Sequence, residues 1–143
     1  MIRVLTACLL VAALSAAIAQ AAPETVRIAF IDPLSGPFAN AGESSLRHFR
    51  AAVEELNGRG GAGVHKDVGA GAYRFEITGF DNKASVQDSL TQLRLAIDQG
   101  YRFIIQGQSS AAALALSDAI SKHNVRDPAH PVLFLNYAAL DPD

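Results

Sequence analysis

The stretch Val26-Arg27-Ile28-Ala29-Phe30-Ile31-Asp32-Pro33-Leu34-Ser35-Gly36-Pro37 decides the fold class. Its first half is dense in β-branched and aromatic residues, and its second half is a run of turn formers. Together they read as a strand delivering the chain into a loop. The segment that follows has a different period. Between residues 43 and 56, Leu46, Phe49, Val53 and Leu56 recur at spacings of three and four, with charged residues on the other side. That spacing predicts an amphipathic helix, ended by Asn57-Gly58. Residues 73–80 then alternate, with Tyr73, Phe75 and Ile77 inward and Arg74, Glu76 and Thr78 outward, as a half-exposed strand near a sheet edge does.

The same alternation continues to the end of the chain. Ser85 is placed to cap a helix, with Asp88 reaching back in a capping box. That helix sets Val86, Leu90, Leu93 and Ile97 on one face and stops at Gly100. Residues 101–106 form a third strand, Gly107-Gln108-Ser109-Ser110 turns into an Ala/Leu helix reaching about Lys122, and residues 131–136 form a fourth strand. Strand and helix in strict alternation predict an α/β fold: a parallel sheet, right-handed crossovers and helices on both faces. Ligands of such sheets bind beyond the carboxyl ends of the strands. Three segments are selected on that ground: the Ser35-Gly36-Pro37 loop, the 107–110 turn and the 136–140 tail.

Composition agrees with a folded chain. Of 143 residues, 50% are apolar and 18% charged, which excludes a disordered polyelectrolyte. Length alone suggests one domain, but residues 1–22 read as a cleaved signal peptide. Arg3 precedes an apolar run broken only by Thr6 and Ser15, and Ala17-Ile18-Ala19 or Ala19-Gln20-Ala21 supplies the small-residue cleavage pattern. A membrane span needs about 20 apolar residues, and this run is shorter. Without residues 1–22 the chain keeps 11 of its 12 Lys and Arg against 14 Asp and Glu. Nothing in that balance suggests a nucleic-acid partner. Cys8, the one cysteine, falls inside the signal. The apolar run continues past it, so Leu5-Thr6-Ala7-Cys8 is a poor lipoprotein box. An exported domain with no disulfide must rely on its core.

Several motifs carry competing readings. Gly58-Arg59-Gly60-Gly61-Ala62-Gly63 matches G-x-G-x-x-G, but a helix precedes it where a dinucleotide site needs a strand, so it reads as a connection. Gly107-Gln108-Ser109-Ser110-Ala111 approaches a nucleophile elbow, with His123, His130, Asp118 and Asp127 downstream. A small secreted serine hydrolase is the reading from another class. The same serines at a helix start could instead hold a carboxylate, or merely cap the helix for about 1 kcal/mol. His48, His65, His123 and His130 have no metal-ligand spacing, so no metal site and no cofactor are expected. His48 is read as a surface residue. Asp81-Asn82 could face the cleft but reads first as a turn former.

Residues 26–42 (VRIAFIDPLSGPFANAG), the helix ending Asn57-Gly58-Arg59-Gly60-Gly61, the strand ending Phe80-Asp81 and the Gly107-Gln108-Ser109-Ser110 turn resemble periplasmic binding proteins of the leucine/isoleucine/valine type. These are solute receptors of ABC importers. The resemblance covers residues 26–143 and implies two α/β lobes closing over one small solute, with an inner-membrane permease as partner and no catalysis. It implies that Ser110 or Ser109 donates to a solute carboxylate, that Ala138 offers its backbone, and that Leu140 stands where Thr or Ser is common. The often aromatic position of the first loop is Ala41, with Phe38 and Tyr137 as nearby aromatics. The missing hydroxyl at Leu140 leaves aromatic acids and amides beside amino acids as candidate solutes. An extracellular sensor domain of the same fold is the alternative role. On this reading residues 23–143 form an incomplete amino-terminal lobe, exported to the periplasm, with strand edges and helix faces left uncovered.

Overall fold

A computed structural model of the chain describes residues 23–58 and 73–139. The signal-like residues 1–22, the glycine-rich connection at 59–72 and residues 140–143 lie outside the described residues. The elements follow the expected order: β1 (Glu24–Asp32), α1 (Ala39–Gly58), β2 (Tyr73–Asp81), α2 (Val86–Asp98), β3 (Phe103–Gln106), α3 (Ser110–Arg126) and β4 (Leu133–Asn136). All pairings are parallel, and the strands lie in the order β2-β1-β3-β4. β1 is therefore an inner strand, and β2 lies at the edge that its half-exposed alternation predicted.

The two-residue period of a strand divides the core between the faces. Phe30 and Ile105 point to one face, where Leu46 and the half-buried Phe49 of α1 cover them. Ala29, Ile31 and Ile104 point to the other, against Leu93 and Ala96 of α2 and Leu116 and Ile120 of α3. Helices thus lie on both faces. On the α1 side, however, Phe103, Leu133 and Leu135 remain 36%, 52% and 48% exposed. The α/β pattern accounts for the strands there, but no described helix covers them. Among the described residues no helix is long and apolar enough to cross a membrane.

Element ends depart from expectation for identifiable reasons. α1 begins at Ala39, one turn before Glu43, because Gly42 lets the helix approach the preceding loop. A Cβ there would fall 1.9 Å from the Pro33 carbonyl oxygen. α1 ends at Asn57-Gly58 as expected, and Asn57 has a further role. From inside the helix its side-chain amide exchanges two hydrogen bonds with the backbone of Phe75, at 2.8 and 2.9 Å. Asn124 of α3 does the same to Val132, at 2.9 and 2.8 Å, so α3 runs past Lys122 to Arg126. β3 starts at Phe103 because the Tyr101 N–H is used by the Ala96 carbonyl. With Gly100 N–H on Ile97 O, that bond closes α2 in a Schellman motif.

The Ser85 cap forms, its Oγ accepting from the Asp88 N–H at 3.2 Å. The reciprocal half of the capping box is absent, because the Ser85 N–H is taken by the Asn82 carbonyl. Val86 is 38% exposed instead of lying on the buried face. Ser89 is buried in its stead, accepting from Asn82 Nδ2 and donating to the Ser85 carbonyl. The same turn holds Lys83 and Ala84 at φ 51° and 59°, a left-handed conformation that a Cβ disfavours by about 1–2 kcal/mol per residue. Ala84→Gly is therefore expected to raise folding stability by about 0.5–1 kcal/mol, after the entropy that glycine adds to the unfolded chain. A urea midpoint that does not rise would show that the turn carries no such strain.

Candidate functional site

The carboxyl ends of the four parallel strands bring together the segments selected from the sequence. β1 ends on Asp32 and opens into the 33–38 loop, β3 opens into Gly107-Gln108-Ser109, and β4 opens into Tyr137-Ala138. Asp81, ending β2, fastens the first loop. Its carboxylate accepts from the N–H groups of Leu34 and Lys83 and from the Ser35 hydroxyl. Partial burial pushes Asp81 up, but those donors outweigh it and hold the carboxyl below its ordinary value. Asp81 and Asn82 are thus turn formers, as read, and Asp81 also ties two loops at the site.

Ser109 and Ser110 separate into different roles. Ser109 is the N-cap of α3, and its Oγ accepts from the Ala112 N–H at 3.3 Å. Ser110 is the first helical residue and half-buried, and among the described residues its hydroxyl makes no hydrogen bond. The N–H groups of Ser110 and Ala111 are likewise unused, because the Ser109 side chain and carbonyl already serve Ala112 and Ala113. A helix start with free donors and a positive dipole end suits a carboxylate.

The remaining candidates fall in different places. Ala138 is exposed, and its N–H donates to Asn136 Oδ1 at 3.2 Å, which leaves its carbonyl as the backbone group available there. The Tyr137 ring turns inward. It stacks on Phe30 at 6.0 Å, meets Phe49 edge-on at 5.2 Å, and donates its hydroxyl to Asp32 at 2.9 Å. Burial pushes the Tyr137 phenol above its ordinary value. Phe38 is 62% exposed, on the outside of the turn leading into α1, and Ala41 is exposed one turn later. Leu140 lies outside the described residues.

Gly107 permits this arrangement. A Cβ on it would come within 2.7–2.8 Å of three Tyr137 ring atoms. The residue that sequence reading missed is Asp32. It was counted among the turn formers after β1, yet it is the last residue of that strand and fully buried. A carboxylate directly after four consecutive apolar strand residues, Ile28 to Ile31, was the available signal.

Among the described residues no histidine stands near the serines. His123 is on α3, thirteen residues beyond Ser110, or about 20 Å at 1.5 Å per residue. It faces the His130 carbonyl, and His130 faces Asp127, whose carboxyl that hydrogen bond holds below its ordinary value. Among the described residues no group of His, Cys, Asp and Glu is arranged to hold a metal.

This geometry has a counterpart among known proteins, since the profile of the periplasmic binding protein family matches residues 25–143. The chain belongs to the periplasmic binding protein family. "Leu/Ile/Val-binding protein homolog 4" of Brucella abortus is 33% identical over 129 residues, which are 90% of this chain and 29% of that protein. The periplasmic binding fold is seen directly in the leucine-, isoleucine-, valine-, threonine- and alanine-binding protein of Brucella ovis. That structure, in its closed conformation, aligns with a TM-score of 0.61 at 31% identity, over 81% of this chain and 28% of its own. The branched-chain amino acid transporter substrate-binding protein of Streptococcus pneumoniae, in complex with isoleucine, aligns with a TM-score of 0.64 at 20% identity. That alignment covers 83% of this chain and 30% of that one. The chain spans under a third of the length of these relatives. Its parallel sheet and flanking helices correspond to part of one lobe.

Proposed function

We propose that this chain supplies part of the first lobe of the solute-binding component of an ABC importer. Its solute is a small carboxylate: an amino acid, or an aromatic acid or amide of similar size. The reading rests on one observation, the unused Ser110 hydroxyl and the unused Ser110 and Ala111 N–H groups at the start of α3, with the Ala138 carbonyl following the neighbouring strand β4. The carboxylate accepts from those three donors, and the Ala138 carbonyl accepts from a cationic or amide nitrogen. A second lobe closes over the solute, buries it and presents the closed form to a membrane permease. No bond is made or broken, and the working location is the periplasm, reached by export through the amino-terminal signal.

The two serines provide the test. Ser110→Ala removes a donor to a charged group and is expected to weaken solute binding about tenfold or more. Ser109→Ala removes only a helix cap and is expected to lower stability by about 1 kcal/mol. A thermal-shift screen against leucine, isoleucine, 4-hydroxybenzoate and benzamide finds the solute. At 100 times its dissociation constant, a bound solute adds about 2.7 kcal/mol. If none of these shifts the melting curve, or if Ser110→Ala binds as the wild type does, the reading is wrong.

A further inference from the structure

Three strand ends meet on one carboxylate. Asp32 is fully buried, and each of its oxygens accepts two hydrogen bonds. Oδ1 takes the Gln108 N–H at 3.1 Å and Gln106 Nε2 at 3.3 Å. Oδ2 takes the Gly107 N–H at 3.1 Å and the Tyr137 hydroxyl at 2.9 Å. No Arg, Lys or His among the described residues pairs with it. Removing a carboxylate from water without a counter-ion is costly, and only such a complete set of donors makes it tolerable. A neutral side chain would fill the space at lower cost, so the placement of the donors is informative. Gly107 and Gln108 form the turn that delivers Ser109 and Ser110. Tyr137 opens the loop that carries Ala138. Each of the two segments that meet the solute therefore hangs from the same buried group.

We propose that Asp32 is a positioning residue of the solute site, holding the 107–110 turn and the 137–138 loop at the separation that binding requires. This rests on the solute-binding reading above. Asp32 itself touches no solute, because it lies beneath the turn.

The same arrangement makes the site sensitive to acid. Burial pushes the Asp32 carboxyl above its ordinary value, and the four donors offset only part of that. Once protonated, the carboxyl must donate, yet it is surrounded by donors. Among the described residues two acceptors are placed to take the proton. The Tyr137 oxygen accepts if its hydroxyl reverses. Gln106 Oε1, buried and without a partner, accepts only if the amide turns over and gives up its bond to the Ser109 carbonyl. Either change disturbs a loop that meets the solute. The groups around Asp32 are otherwise quiet. Among the described residues Tyr137 is its only titratable contact, Asp81 of β2 is directed at Leu34, Ser35 and Lys83, α1 reaches the cluster through neutral Ser45, and Glu43, Arg47 and Arg50 line a separate pocket with Leu34 and Leu46.

The test combines amide NMR with binding, using leucine and 4-hydroxybenzoate as probes. In the wild type the Gly107 and Gln108 amide protons are expected to titrate together, with a midpoint above the ordinary aspartate value of 3.8. Binding of whichever probe is recognised is expected to weaken as pH falls through that midpoint. Asp32→Asn is expected to abolish the titration, flatten the pH profile and weaken binding about tenfold. Should Asp32→Asn not fold, Tyr137→Phe serves instead. It removes one donor to the charged form, so the midpoint is expected to rise while the ring stays in place. The proposal is overturned if the two amides do not titrate, if Asp32→Asn binds and titrates as the wild type does, or if Tyr137→Phe leaves the midpoint unmoved. If neither probe binds the wild type, the solute-binding reading loses its support. The amide titration and its response to the two variants still decide whether Asp32 holds the turn and loop.

Discussion

Phe30→Ala is expected to cost about 3–5 kcal/mol of folding stability, the usual range for emptying a fully buried phenylalanine site. Phe30 is 0% exposed in the carboxyl-terminal half of β1, an inner strand. Its ring lies 5.8 Å from Phe49 and 6.0 Å from Tyr137, so the substitution removes two aromatic contacts together with the buried area. The site cannot easily collapse, because β1 is held by β2 on one side and β3 on the other. Urea denaturation followed by circular dichroism measures the loss. Val125→Ala, at a position 81% exposed, is the matched control and should stay within about 0.5 kcal/mol of the wild type. A Phe30→Ala loss no larger than that of the control would mean that α1 does not cover this face.

Gly107→Ala is expected to be nearly as damaging, at about 2–4 kcal/mol, and it acts through Tyr137. Gly107 does not use a left-handed backbone, so alanine adds no strain of its own. The new methyl would meet Tyr137 ring atoms at 2.7 Å, and the ring would have to leave Phe30, Phe49 and the Asp32 carboxylate. A double-mutant cycle isolates this cause. In a Tyr137→Ala background the added methyl should be nearly free, giving a coupling energy of about 1–3 kcal/mol. If Gly107→Ala costs the same in both backgrounds, the ring is not what the glycine accommodates.

The two substitutions differ in how readily they were foreseen. Phe30 stands in a run of strand formers, and its burial follows from any reading of that run as an inner strand. The need for glycine at 107 depends on Tyr137, thirty residues later, and neighbouring residues give no hint of it. The serine turn was legible in part. Its position between a strand and a helix, and the cap at Ser109, came from local pattern. That Ser110 rather than Ser109 keeps its hydroxyl unused depends on which of them turns back onto the helix. The sequence reads Asn57 only as part of the helix stop and leaves Asn124 beyond a helix reaching about Lys122, because their partners, Phe75 and Val132, lie outside their own helices.

The sequence by itself determined the alternation of strand and helix, the α/β class, the parallel sheet and the end of it where a ligand is sought. Those follow from hydrophobic period and turn chemistry, which act over a few residues at a time. Only the tertiary structure decided the strand order β2-β1-β3-β4, the inward turn of Tyr137 and the burial of Asp32 under the turn. The physical reason is the reach of the interactions. The Asp32 bonds to Gln106, Gly107, Gln108 and Tyr137 span 74, 75, 76 and 105 residues, and they form only when β1, β3 and β4 stand side by side.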